Sequence, residues 1–231
     1  MAEVPETTIL GLGIYTVPQA ARLAGVPARS IRRWLFGYKY EYEGQTVKQP
    51  AVVRADQVAR QLKIVTFQDL IELKFVHAFR EHGVSWKTIR YSAGKACEIT
   101  GSDHPFASRQ FVTDGRTIFA EIAKSSRNTE LLDLMLDQMA MRVVFLPSLR
   151  AKLEIDELGV RRLFPLGKSR PVVIDPARQF GQPISRDEGV PTIVLAKAAK
   201  AMDSMPAVAR WYDVKLAAVR AAVEFEQRLA A

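Results

Sequence analysis

Residues 16–37 read Thr-Val-Pro-Gln-Ala-Ala-Arg-Leu-Ala-Gly-Val-Pro-Ala-Arg-Ser-Ile-Arg-Arg-Trp-Leu-Phe-Gly, and they decide how the N-terminal part of the chain folds. Thr16 offers an N-cap hydroxyl to a helix carrying Val17, Ala20, Ala21, Leu23 and Ala24, and Gly25 supplies the residue that ends it. After Val26 and Pro27, a second helix over 28–36 sets Ile31 and Leu35 four apart on one face, while Arg29, Arg32 and Arg33 project elsewhere. Between Thr16 and Lys39 stand five basic residues, Arg22, Arg29, Arg32, Arg33 and Lys39, and no acid.

Two short helices joined by a tight glycine-containing turn have the pattern of a helix-turn-helix. Gly37 ends the second helix, and Tyr38 to Tyr42 and Val47 to Val53 read as two strands about Glu43-Gly44, a wing. Phe67, Ile71, Phe75 and Phe79, spaced by four, predict a helix from Phe67 to His82. Gly83 and the capping Ser85 then separate it from another over Trp86 to Ile99. This order over residues 14–98 resembles the MerR-like winged-helix DNA-binding domains. The candidate DNA contacts are Arg29, Ser30, Arg32, Arg33, Tyr38 and Lys39, because an arginine pairs two-pronged with a guanine edge in the major groove. Tyr38, Tyr40 and Tyr42 either brace the wing on DNA or pair across its strands.

The composition agrees with such a partner. The 231-residue chain has 33 Lys and Arg against 25 Asp and Glu, a net charge of +8, which biases it toward polyanions. Hydrophobic residues at 48% supply enough apolar surface for real cores, which excludes wholesale disorder. Cys97 is the single cysteine, so no intrachain disulfide or thiolate cage forms and a reducing cytoplasm is expected, with nucleoid association when DNA is bound. The N-terminus has no secretory pattern, and no stretch reaches the roughly 18 apolar residues of a membrane span.

In the middle of the chain, Asp114-Gly115 predicts a hairpin of Arg109 to Val112 with Thr117 to Glu121. Glu130 to Met141 reads as a helix whose Leu131, Leu132, Met135, Leu136 and Met139 form an apolar stripe, either core or a dimer seam. Arg142 to Phe145 and Leu163 to Leu166 read as strands. A boundary is expected near Gly167-Lys168-Ser169. Beyond it, Val172 to Pro176 is a strand, Phe180 to Ile184 a turn, and Val190-Pro191-Thr192 a second strand entering three helices: Thr192 to Met202, Met205 to Tyr212 and Lys215 to Leu229. Trp211 and Tyr212 are expected in the core.

The stretch from Val172 to Glu226 resembles the VapB-type antitoxins. The resemblance rests on Ile174-Asp175-Pro176, Gly181-Gln182-Pro183, Val190-Pro191-Thr192, Val208-Ala209-Arg210-Trp211-Tyr212 and Val219 to Glu226. Before Val190 that family has Gly-Thr-Arg where this chain has Asp187-Glu188-Gly189. The fold class expected is mainly α with small β elements, an α+β protein. Its parts are a winged helix over 14–98, a connecting or dimerisation region over 99–166, and an antitoxin-like domain over 167–231.

Jointly the two resemblances imply an antitoxin of a type II toxin–antitoxin pair. Such a protein represses its own operon through operator DNA and neutralises a PIN-like ribonuclease. A homodimer is expected, since one two-turn recognition helix reads too few base pairs. The toxin would gather carboxylates around a metal, so an inserted cation from Arg161, Arg162, Lys168, Arg170 or Arg178 would block it. The alternative is a MerR-like regulator with no toxin partner, whose C-terminal half binds an effector or dimerises.

No residue grouping forms an active site, so no enzyme and no cofactor are expected. His77 and His82 lie five apart, whereas paired helical metal ligands need four. His104 and Cys97 have no matching partner in the sequence, and Gly11-Leu12-Gly13 lacks the lysine of a phosphate loop.

Overall fold

The computed structural model describes residues 11–53, 62–125 and 146–230, and the chain is α+β. It divides into two compact units, one built on Tyr15–Ser148 and one dominated by Arg161–Ala231.

The first unit opens with β1 (Ile14–Tyr15), α1 (Val17–Ala24), α2 (Ala28–Phe36) and an antiparallel ribbon of β2 (Tyr38–Tyr42) and β3 (Gln45–Gln49). The ribbon's second strand is shorter than the sequence predicts. It stops at Gln49 because Val52 and Val53 turn away to donate their N–H groups to the Trp34 carbonyl, at 2.8 and 3.0 Å. After β4 (Val65–Thr66), the helix α3 (Phe67–Glu81) is buried on most of its surface, with Phe67, Leu70, Ile71, Leu73, Phe75 and Val76 all enclosed. Its capping box joins Thr66 and Asp69. Helix α4 (Trp86–Thr100) starts at Ser85, whose hydroxyl accepts from the Thr88 N–H, and ends at Gly101.

Residues 109–125 form one helix, α5 (Arg109–Ser125), and not the hairpin expected from Asp114-Gly115. The burial of Phe111, Gly115, Ile118 and Ile122 follows a helical spacing of four, three and four. Ser108 accepts from the Phe111 N–H at 3.2 Å and starts the helix, and the Asp-Gly pair survives only as a kink, with Asp114 at φ −135°, ψ 35°. Phe111 closes an aromatic cluster with Phe75 (5.6 Å between ring centres) and Phe106 (4.9 Å). The expected stripe from Leu131 to Met139 and the strand Arg142 to Phe145 lie outside the described residues.

A short helix α6 (Leu146–Arg150) spans the boundary between the residues of the two units. A four-stranded sheet follows, ordered β5 (Leu153–Ile155), β6 (Val160–Leu163), β7 (Val172–Ile174) and β8 (Pro183–Ser185). Strand β6 ends at Leu163, short of the expected Leu166, because Phe164 to Gly167 closes a turn through the Gly167 N–H. Val190-Pro191 is not a strand. Pro191 fixes the N-terminus of a helix and keeps one bridge to Ile184. Three helices follow: α7 (Thr192–Met202), α8 (Met205–Trp211) and α9 (Leu216–Ala230). They enclose Leu195, Val208, Val214, Val219 and Ala222. Tyr212 packs against that core, but Trp211 is 76% exposed, contrary to expectation.

Candidate nucleic-acid interface

The arginine-bearing helix is set by local chemistry. The Thr16 hydroxyl accepts from the Gln19 N–H, and the Gln19 side chain accepts from the Thr16 N–H at 2.8 Å, so both ends of a capping box are made. Gly25 turns the chain at φ 73°, ψ 29°, and the Val26 N–H reaches back to the Ala21 carbonyl at 3.0 Å. Ala20, Val26, Ile31 and Leu35 are buried, which fixes the rotation of α2 about its axis. That rotation leaves Arg29, Arg32 and Arg33 exposed, with Ser30 half-buried.

The ribbon leaves α2 through Gly37, at φ 72°, where a Cβ would stand 2.6 Å from the Gln49 carbonyl oxygen. Only glycine fits that crossing. Tyr38, Tyr40 and Tyr42 alternate along one face, all exposed, and Arg33 lies over the Tyr38 ring at 4.8 Å. On the other face Lys39 stands directly opposite Lys48. Like charges opposed across strands repel, so this pair suits an anion placed between them. The amino-acid sequence alone does not single out Lys48, because its role depends on strand register, which the turn at Glu43-Gly44 does not define by itself.

A second layer holds the ribbon's base. Trp34 meets the edge of Trp86 at 5.2 Å, and the Arg80 and Arg90 guanidinium groups lie over Trp86 at 4.9 and 5.7 Å. With the Gln49 amide turned oxygen-inward, that oxygen accepts from two Arg90 nitrogens at 3.0 and 3.2 Å. Helix α4 thereby grips the last residue of the wing.

Behind this surface lies a buried polar group that sequence spacing does not reveal. Asp69 and Glu72 are both enclosed on α3. Asp69 pairs with His104 at 3.1 Å, and Glu72 accepts from the Ala107 N–H at 2.9 Å. Burial pushes the Glu72 carboxyl up to about 8, against a smaller lowering by His104 and the backbone donors. Glu72 and Arg90 also line a cleft of about 210 Å³ with Val53, Cys97, Asp103 and Pro105.

The C-terminal cations separate into two groups. Arg162 is tied to Asp175 at 2.7 Å and to Glu154 at 3.2 Å, contacts that strengthen its hold on its proton. Arg170 pairs with Glu224, and Arg178 donates to the Arg186 carbonyl at 2.7 Å. Arg161 and Lys168 are exposed. Among the described residues no cluster of His, Cys, Asp and Glu could hold a metal, and no helix is long and apolar enough to cross a membrane. His77 instead faces Glu81 at 3.5 Å, and the His82 ring meets the Ala78 carbonyl.

Residues 13–93 match the family described as "Putative DNA-binding HTH domain". Along 212 residues the chain is 26% identical to "Putative antitoxin VapB45" of Mycobacterium tuberculosis (strain ATCC 25618 / H37Rv), covering 87% of this chain and 88% of the relative. Its fold is similar to the crystal structure of Rv2018 from Mycobacterium tuberculosis, with a TM-score of 0.66 and 22% identity over 90% of this chain and 96% of the other.

Proposed function

We propose, from a helix-turn-helix DNA-binding domain over residues 13–93 and a likeness to an antitoxin along most of the chain, that this protein is the antitoxin of a type II pair that represses its own operon. The observation that carries the DNA half is the open face of α2, where Arg29, Arg32 and Arg33 stand exposed beside the opposed Lys39 and Lys48. Arginines in the groove read bases, and lysines on the ribbon neutralise phosphates. The Tyr38 ring face lies against Arg33, and Ser30 stands half-buried on the same helix.

The proposed division is a DNA-binding domain over 14–98, a connecting and dimerising region over 99–166 and a toxin-binding domain over 167–231. A two-fold dimer would place two recognition helices on half-sites about one helical turn apart, in the nucleoid of the cytoplasm. The toxin half of the reading rests on the antitoxin relative. Its target is a PIN-like ribonuclease whose metal-binding carboxylates attract cations. Arg161 and Lys168 are better placed to enter that site than Arg162, Arg170 and Arg178, whose guanidinium groups already hold internal partners.

The test is co-expression of the full chain with the toxin-like product of a neighbouring reading frame, alongside binding to the DNA upstream of the pair. Growth arrest that the full chain does not relieve would remove the antitoxin reading while leaving DNA binding intact. A regulator with no toxin partner is the second reading.

A further inference from the structure

The second unit contains a helix-turn-helix built like the first. The N-cap Ser204 accepts from the Ala207 N–H as Thr16 does from Gln19, and Pro206 stands in the first turn of α8 as Pro18 does in α1. At the turn the Val214 N–H reaches the Ala209 carbonyl at 3.0 Å, as Val26 reaches Ala21 at 3.0 Å. The Asp213 N–H lies 3.4 Å from the Arg210 carbonyl, as Gly25 does from Arg22. Asp213 occupies the left-handed region, at φ 50°, that Gly25 occupies in the first motif. Buried Val208, Val214 and Val219 take the places of Ala20, Val26 and Ile31. Pro, Arg and Val therefore recur at one constant offset: Pro18, Arg22, Val26 and Pro206, Arg210, Val214.

What would be the reading face of the second motif has lost most of its cations: the positions of Arg29, Arg32 and Arg33 fall on exposed Ala217, exposed Arg220 and buried Ala221. Beyond them α9 packs on β7 and β8, with Phe225 buried, Glu224 paired to Arg170 and Glu226 accepting from the Thr192 hydroxyl. A helix anchored by its C-terminal half to its own sheet, with one arginine where the first motif has three, offers a major groove little to bind. The surface left open carries Trp211, 76% exposed, beside exposed Arg210. Indole and guanidinium groups are the side chains that most often dominate protein–protein contacts.

We propose that this second helix-turn-helix is a protein-docking module, with Trp211 as its anchor and Arg210 and Arg220 as its cationic rim. Its occupant is a partner protein that offers an apolar slot edged by carboxylates. Lys215 is paired with Asp187 at 3.0 Å, so among the described residues the cations that flank Trp211 in sequence without such a pair are Arg210 and Arg220, against Asp213. A second copy docked two-fold on the same patch would face cation with cation, which disfavours self-association there. The assignment rests on the antitoxin reading, with the toxin as that partner.

The experiment measures three properties of the full-length protein and of Trp211→Ala and Arg210→Glu. They are affinity for the purified toxin-like product of the neighbouring gene, affinity for the upstream DNA, and molecular mass by light scattering. Both side chains are exposed, so melting temperatures should match the parent protein, and Arg210→Glu reports independently if Trp211→Ala does not fold. Toxin affinity should fall about 30-fold or more for Trp211→Ala, with DNA affinity and mass unchanged. Unaltered toxin binding by both variants would overturn the docking surface and leave the antitoxin reading standing. Weakened DNA binding would assign the patch to nucleic acid, and a changed mass would assign it to a second copy; either overturns the proposal. Failure of the parent protein to bind the toxin removes the antitoxin reading and this surface with it.

Discussion

The turn between α1 and α2 and the turn between α8 and α9 have hydrogen-bond lengths that agree to a tenth of an ångström or better, yet the helices that follow them face different surroundings. Helix α2 turns Arg29, Arg32 and Arg33 to solvent, whereas α9 has exposed Ala217 and Arg220 and buried Ala221 at the matching positions and packs further along on β7 and β8. The turn therefore specifies how two helices pack, and the residues outside the packed stripe specify what the pair can touch. One backbone geometry thus supports a motif with three exposed arginines on its second helix and one with a single arginine at the matching positions.

Charge reversal tests this contrast most severely. Changing Arg29, Arg32 and Arg33 together to Glu should lower operator affinity by at least about 100-fold and flatten its salt dependence, since each lost phosphate contact removes about 0.9 from the logarithmic slope. Arg220→Glu, at the position matching Arg32, should change neither. Fluorescence anisotropy across a salt series reads both, and equal losses for the two variants would show that both motifs read DNA.

Next in size is Gly37→Ala. A Cβ at 2.6 Å from the Gln49 oxygen forces backbone to move, so stability should fall by about 2 kcal/mol or more and operator affinity with it. Urea unfolding together with DNA binding tests this, and no second-unit variant should couple the two readouts in this way.

A third prediction concerns pH and distinguishes the units by where the buried acid sits. Glu72 titrates near 8 in the folded protein and near 4.5 when unburied, so the native state holds a proton that the unfolded chain has released. Its contribution to stability is fully present below about pH 4.5, falls as pH rises toward 8, and levels off above that. Glu72→Gln keeps an oxygen for the Ala107 N–H and should remove this part of the decline. Urea midpoints from pH 5 to 9 that fall as steeply for Glu72→Gln as for the parent protein would contradict the assignment.

The smallest effects compare the turns directly. Gly25→Ala has room, its nearest neighbour being His77 at 3.9 Å, so it isolates the cost of a side chain at positive φ, about 1 kcal/mol. Asp213→Gly relieves the same conformation in the second motif and should be neutral or stabilising by less than about 1 kcal/mol. Opposite signs in thermal melts would establish that the two turns are energetically as well as geometrically alike.

The first motif is legible in the sequence because its determinants are local. Thr16, Gly25 and Gly37 mark the helix ends, and Ile31 and Leu35 mark the buried side. Asp114-Gly115 misleads because an Asp-Gly pair signals a hairpin only between alternating strands, and Phe111, Ile118 and Ile122 instead keep helical period. Trp211 reads as core by size, yet whether a tertiary cavity exists to receive it is not written in its neighbours. Asp175 lies 13 residues from Arg162 and Glu224 lies 54 from Arg170, too distant for spacing to announce them. The second helix-turn-helix does leave a signal, the recurrence of Pro, Arg and Val. It is inconspicuous because two of the three arginines that mark the first motif are alanines in the second.

The wing also bears on how binding responds to temperature. Every residue of β2 is exposed and none of β3 is fully buried, so the ribbon has no core of its own; Gly37, the Trp34 carbonyl and Arg90 hold it at one end. A two-stranded ribbon of this kind is marginal in water, so a surface that it docks on would add to its order. On the proposed reading, association with operator DNA is expected to release more heat and lose more entropy than binding through a preformed surface of equal area, and to weaken correspondingly faster on warming.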